Sequence, residues 1–578
     1  MSKLNIDQKT VKGLFQEAKS DFLIPDYQRP YAWGIEECKT LWEDLFSFSF
    51  PNDDCDQFNS NDEYFLGPIV TFKNDNGKME IIDGQQRLTT LMLLLRAFYN
   101  KLGSMMDSNS QAMKLDIEKC LWRADMFGKY KKDDLKINSE VATDNDKEEF
   151  LSILKDGDDA GMKSRYAKNF KFFTEQINVF LSHYPSYFAY FPAIILNNCV
   201  LLPIEAESQD TALRIFSTLN DRGKPLSDAD IFKAQLYKYY TSLGRKDAFI
   251  ATWKDLEETA TSIFHPISGT PLDELFTRYM YYERALLGIK SSTTESLRKF
   301  YEKDNYALFR KEATLSNVVQ LALFWQDVNN QDNVRFSERI LRRLFVLNYA
   351  PNGMWTYIVS VYFMCNKDEN GNLEEDSFYE FLGTITAFIW AYTLTNPGVN
   401  SLRTPIYAEM LSIVNGKKVT FGDFKFNEDR FRSIFSNYAF SNNRAITKSM
   451  ITWWAFSNDD QSLLSLETSF DIEHIFSRNR QLKDKSLSNP RNIELLGNKS
   501  LLERRINIRA SDYRFVDKVK YYRGFTTAKG EKKGTQIQEL LNLSMAYSDF
   551  SENEINSRNE MILEGFLSYL NEYGLIQD

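Results

Sequence analysis

The chain reads as an α+β protein that is predominantly helical, on three observations. Residues 64–73 (YFLGPIVTFK) and 78–83 (KMEIID) flank an NDNG turn and pattern as a β-hairpin. Residues 240–415 carry apolar side chains at helical spacing with no strand alternation. The region from about 420 holds a basic island and ends in a helical tail. These shifts predict three domains, at 1–240, 241–420 and 421–578.

Taken in order, FLIPDYQRPYAW (22–33) is a short apolar run, a proline and an aromatic-rich polar stretch. EECKTLWEDLFSF sets Leu41, Trp42, Leu45 and Phe46 on one helical face. After the hairpin comes IIDGQQRLTTL, a polar junction that runs into an apolar helix predicted over about 86–101. Residues 103–165 are charged, and PAIILNNCVLLPIEAES (192–208) reads as one or two buried strands. Residues 211–240 read as helix, loop, helix, broken at Asn220, Asp221 and Gly223 and capped at Ser227 or Asp228. The acidic stretch NKDENGNLEED (366–376) lacks calcium-loop spacing and reads as a solvated loop.

Composition excludes several classes. The first residues, MSKLNIDQKTVKGLF, form no secretory signal, and no apolar run approaches the roughly 18 residues of a membrane span. Cysteines 38, 55, 120, 199 and 365 are scattered and in no CxxC pair, so they read as reduced thiols of a cytoplasmic protein without structural zinc. The net charge of −10 argues against a surface coated for nucleic acid. Its distribution says more: residues 471–533 hold 16 Lys and Arg against 8 Asp and Glu. That island suits phosphate binding, or is a solvated basic face.

Within the island, DIEHIFSRNR (471–480) carries one of three histidines. As a strand it would place Asp471 and Glu473 on one face and His474 on the other. IELLGNKSLLERRIN (493–507) puts Asn498 after a glycine at the start of an apparent helix, with Asn507 about two and a half turns along it. Singly, these residues have plain readings as a hydrogen-bonded histidine and a helix cap. Together they supply what phosphodiester hydrolysis needs. A neutral imidazole takes a proton from water. Oxygen ligands hold a hard cation, an asparagine fixes the base, and Arg504, Arg505 and Arg509 anchor DNA phosphates.

EHI, then LGN-x-x-LL and a further Asn after an eight-residue gap from Asn498, resembles the HNH (ββα-metal) nuclease domain at the C-terminus of GmrSD-type restriction enzymes. The resemblance implies His474 as general base, Asn498 as its orienting residue, and Asp471 or Glu473 with Asn507 as ligands of Mg²⁺ or Mn²⁺. That family places a proline shortly after the histidine; here the position is Ser477.

In the first half, Arg87 stands against the dipole of the helix it opens, which an anion at the helix start would relieve. A polar cap with an incidental arginine is the plain alternative. IPDYQRPYAW adds Gln28 and Arg29 among aromatics, and FSTLNDRGKPLSDADIFKAQL adds Asn220, Arg222, Lys224, Asp230 and Lys233. In this order the motifs look like the DGQQR-motif N-terminal domain of the GmrSD family, related to the ParB/sulfiredoxin-like fold, over roughly residues 10–240. The resemblance implies a nucleoside triphosphate, GTP or ATP, cradled by Asp83, Gly84, Gln85, Gln86 and Arg87 and enclosed by Gln28 and Arg29. The chain has no GxxxxGK[ST], so nucleotide use would be of this P-loop-free kind.

The whole then reads as an NTP-gated nuclease acting on foreign, modified phage DNA. A double-strand break would take two sites, hence a homodimer. A DNA-binding regulator with an inactive HNH domain and an NTP-gated ribonuclease are the alternatives.

Overall fold

The computed structural model describes residues 5–17, 20–51, 57–209, 211–212, 215, 227–398, 400–527 and 530–577. They fall into two compact units, Met1–Asp255 and Leu256–Asp578. The division falls within the expected middle domain, 241–420, a helical connector by its pattern: its first residues lie in the first unit and the remainder in the second. Cys55 and the loop residues Asn220, Asp221, Arg222, Gly223 and Lys224 lie outside the described residues. Among those described, no helix is long and apolar enough to cross a membrane. Cys38, Cys120 and Cys199 are buried free thiols, and Cys365 is an exposed one.

The first unit is built on a seven-stranded mixed sheet: β1 (Asn5–Ile6), β2 (Lys9–Thr10), β3 (Phe22–Ile24), β4 (Tyr64–Lys73), β5 (Met79–Asp83), β6 (Ile137–Ser139) and β7 (Cys199–Ala206). The strands lie in the order β1-β7-β4-β5-β3-β6, with β2 beside β7. The β4–β5 hairpin forms as its turn residues predict, with a bulge between Val70 and Thr71. β5 leads directly into α1 (Gln85–Leu102), whose buried residues cover every face, including Leu88, Leu91, Met92, Leu95 and Phe98. A helix apolar all round belongs inside, and α1 runs through the unit's core. The stretch expected as one or two strands at 192–208 is helical over Tyr190–Asn198 and extended only in β7. Ser227 caps α2 (Asp228–Ser242) in a capping box with Asp230.

The second unit is helical to residue 415, as its periodicity predicts, and helices continue to residue 456. α3 (Pro271–Leu286) packs on α4 (Met354–Asn366) and α5 (Arg403–Val414). Beyond these, β8 (Phe470–His474) pairs antiparallel with β9 (Lys499–Glu503), and β9 runs straight into α6 (Arg504–Ala510). α7 (Phe515–Arg523), a small hairpin of β10 (Gly524–Thr527) and β11 (Gly530–Lys533), and the long C-terminal helix α8 (Glu552–Glu572) complete it.

Candidate functional sites

The C-terminal site begins with strand register. His474 pairs with Lys499, and Asp471 with Leu502. Asn498 therefore does not open a helix as expected; it ends a short 3-10 turn and precedes β9, and the helix carrying Asn507 starts only at Arg504. The expectation failed because 499–503 form a ladder with residues about 30 positions earlier, which local spacing cannot show.

Asn498 is fully buried. Its Oδ1 accepts from the Phe476 amide at 2.7 Å, and its Nδ2 donates to the carbonyls of Phe476 and Ile493, both at 3.1 Å. Its own carbonyl accepts from the Ile475 amide. Three of these four bonds grip the two residues that follow His474, and the fourth holds Ile493. Ser477 caps the short helix Arg478–Asp484 and donates to the Asp512 carbonyl at 2.9 Å. A proline there could not donate that bond, so this chain anchors the loop by a hydroxyl instead.

His474 is nearly buried, and its Nε2 lies 2.9 Å from Lys499 Nζ. The same Nζ donates to Glu494 Oε2 and to Asn442 Oδ1, each at 2.8 Å. Arg478 binds the other oxygen of Glu494 at 2.6 Å. Burial first, then the charges of Lys499, Arg478 and Lys518, push His474 down to about 2, so the ring is neutral. Burial lowers Lys499 to about 8 despite Glu494. An ammonium spends its three hydrogens on three acceptors here. The ring proton then sits on Nδ1, and the Nε2 lone pair is engaged by Lys499.

The expected ligands of a divalent cation do not converge. Asp471 pairs with Arg504 at 3.1 Å on the surface. Glu473 is 3% exposed, and its Oε1 accepts from Lys518 Nζ at 2.7 Å and from the Tyr522 hydroxyl at 2.5 Å. Burial raises its carboxyl, though Lys518 and Tyr522 oppose this. Asn507 is half-buried on α6. Among the described residues no group of three or more His, Cys, Asp or Glu is arranged to hold a metal. Lys518 already neutralises the buried carboxylate of this set, so these residues as placed do not fit a resident cation. Lys499, Glu494, Lys518 and Tyr522 were invisible to motif reading because strand register and helix packing bring them in.

The N-terminal site sits where β5 meets α1. Gly84 is left-handed at φ 93°, and a Cβ there would lie 3.1 Å from Ile69. The three glutamines are turned to the main chain. Gln28 Nε2 donates to the carbonyls of Ile81 and Ile82 at 3.3 and 3.2 Å. Gln86 Oε1 accepts from the amides of Ala32 and Trp33, and its Nε2 donates to Pro30. Gln85 Nε2 donates to the Arg29 carbonyl at 3.3 Å. Their side chains strap segment 28–33 over the helix start.

Arg87 donates to the Pro68 carbonyl at 3.0 Å, and its guanidinium lies over Gly67, which has φ 125° and where a Cβ would lie 2.9 Å from the guanidinium. A carbonyl of β4 thus answers the arginine that sequence reasoning assigned to an anion. Burial lowers Arg87, with Asp83 opposing. Burial raises Asp83, against the Gly84 amide and the charges of Arg87 and Arg29. Asp83, Arg29 and Arg87 are the charged groups here, and Lys233 reaches the Gln28 carbonyl at 3.5 Å.

Comparison with known proteins gives two family matches. Residues 11–237 match the model "GmrSD restriction endonuclease, N-terminal domain" and residues 425–564 the model "GmrSD restriction endonucleases, C-terminal domain"; together they cover more than half of the chain. A search of curated proteins returns no match.

Proposed function

The chain belongs to the GmrSD restriction endonuclease family, and from that premise we propose that it is a nucleotide-gated HNH-type nuclease with His474 as general base. Its substrate is DNA and its setting is restriction, as the family states; modified phage DNA and the NTP requirement are the finer parts of the proposal.

The observation that carries the reading is the His474–Asn498 pair on a strand–strand–helix unit. A buried asparagine that spends most of its side-chain bonds on the backbone just after a neutral histidine is an aiming device. In the reaction, an incoming phosphate draws the Lys499 ammonium from Nε2. Entry of water and withdrawal of the ammonium remove the two main causes that hold the ring at about 2; the freed nitrogen then takes a proton from water as its oxygen attacks phosphorus, and the leaving oxygen departs from the opposite side and takes a proton from solvent. Lys499 at the phosphate then offsets the added negative charge. No step is assigned to a metal, since Glu473 is bound to Lys518.

His474→Ala tests this. Cleavage should be lost, and cleavage equal to that of the parent chain would refute the assignment. The engaged imidazole also favours a second reading, a nucleotide-responsive DNA-binding regulator that does not cut, which a parent chain that binds DNA without cleaving it would support.

For the first unit we propose that Asp83, Arg29 and Arg87 face the nucleotide while Gln28, Gln85 and Gln86 hold the wall. Gly84 lets the chain turn between them. Arg87→Ala should abolish binding of a fluorescent nucleotide; unchanged affinity would leave DGQQR as a structural junction.

A further inference from the structure

A cleft of about 560 Å³ lies between helix α6 and the β10–β11 hairpin, at the end of the strand pair away from His474. Arg504, Arg505 and Arg509 line it from the helix, and Lys532 and Lys533 from the hairpin. Arg504 is drawn partly to Asp471. Arg505, Lys532 and Lys533 form no ion pair among the described residues, and all three are exposed. Glu467 and Glu531 also border the cleft. Glu503 is buried there and spent on the Thr535 hydroxyl at 2.6 Å and the Gln536 amide at 2.7 Å.

Those Glu503 bonds matter for geometry. Glu503 is the last residue of β9, so they tie the root of the hairpin to the strand that pairs with His474. Arg509 adds a bond from α6 to the Lys533 carbonyl at 3.2 Å. At the root, Gly524 and Gly534 pack with no room for a Cβ: one on Gly524 would lie 2.7 Å from the Gly534 amide. The two cationic walls are therefore held at a fixed place relative to the imidazole. Phe470, beside the cleft, is four strand residues from His474, roughly 13 Å of extended chain. On duplex DNA that spans about four base pairs at 3.4 Å each.

We propose that this cleft is a phosphate anchor for the DNA backbone flanking the cut, and that hairpin residues Lys532 and Lys533 are DNA-binding residues. The inference rests on the nuclease reading and adds to it a second contact region, outside the histidine site. The anchor reads backbone charge and not base identity, because its donors are ammonium and guanidinium groups on two exposed walls.

The test is duplex binding by the full chain across a salt series, for the parent and for Lys532→Gln/Lys533→Gln. Both lysines are exposed, so folding should persist, and Arg505→Gln probes the opposite wall independently. The slope of log affinity against log salt should fall by about one per lysine removed, with weaker binding to all sequences alike. Lys417→Gln, an exposed lysine elsewhere in the unit, should leave the slope as it was. If the parent binds and cuts DNA but neither cleft variant changes affinity or slope, the anchor is refuted and the nuclease reading stands. If His474→Ala cuts normally, the assignment of His474 as general base falls instead, while a changed slope would still support the cleft as a DNA contact.

Discussion

Lys499 Nζ sits 2.9 Å from His474 Nε2, across the strand pair that also aligns their backbones. Burial, with this contact adding to it, makes the neutral ring a property of the folded state, which stability should report. His474 is held at about 2, below its ordinary 6.5, so the unfolded chain binds a proton below pH 6.5 that the folded chain refuses. Stability from this group is thus complete above pH 6.5 and is lost as pH falls toward 2, at about 1.4 kcal/mol per unit. Urea unfolding at pH 7.5 and 5.5 checks it. The stability of the parent relative to His474→Ala should drop by roughly 1.4 kcal/mol between those pH values. A difference that stays constant would show that the ring titrates normally.

Asn498 carries a heavier structural load than an orienting residue needs. Asn498→Ala leaves the Phe476 amide and the Phe476 and Ile493 carbonyls without their partners in a buried setting. At about 1–3 kcal/mol for a stranded buried group, the loss should reach about 3 kcal/mol. Thermal melts measure this, and a cleavage assay well below the melting transition should show the rate falling even where the fold persists. A stable variant that cuts normally would make the asparagine dispensable.

How far the sequence revealed this site depended on whether a signal was local. The hairpin at 64–83 was readable because an Asn-Gly turn announces itself within four residues. Helices through 240–415 were readable from their period. The segment LGNKSLLERRIN was not: Leu501, Leu502 and Ile506 suit a helix face, and only pairing with Phe470–His474 makes 499–503 a strand. Lys499 was hidden for the same reason, since register alone puts it on the histidine. The glutamines of DGQQR show a different limit. An amide that binds a phosphate and one that binds a carbonyl look alike in sequence, and here Gln85 and Gln86, like Gln28, bind carbonyls or amides of the chain.

Gly84 and Gly161 separate two costs that glycine conceals. Both have left-handed φ, 93° and 80°, but a Cβ on Gly84 meets Ile69 at 3.1 Å whereas Gly161 has nothing within 4 Å. Gly161→Ala should cost only the left-handed strain, roughly 1 kcal/mol. Gly84→Ala should cost that plus the contact with Ile69, about 2–3 kcal/mol in all. Comparison of the two melts gives the contact directly. Equal losses would mean that Ile69 moves aside and that the β5–α1 junction is looser than the structure indicates.

Arg558, on the C-terminal helix, grips the loop that bears Asn498. It is 4% exposed, and its Nη1 donates to the carbonyls of Leu496, Gly497 and Lys499 at 3.1, 2.8 and 2.9 Å, while Nε and Nη2 hold Glu539. Gly497 packs so closely on α8 that a Cβ would fall 2.0 Å from the Ile555 carbonyl. The loop is therefore positioned by a helix some 60 residues later in the chain. Arg558→Ala should slow cleavage on the order of 100-fold, since a displacement near 1 Å at a reacting group has that effect. Low-millimolar guanidinium should restore part of the rate by refilling the vacated site. Arg558→Lys should restore less, because one ammonium cannot reach three carbonyls and a carboxylate in that fan. A rate that is lost but not rescued would reduce Arg558 to a folding residue, and an unchanged rate would free the Asn498 loop from α8 altogether.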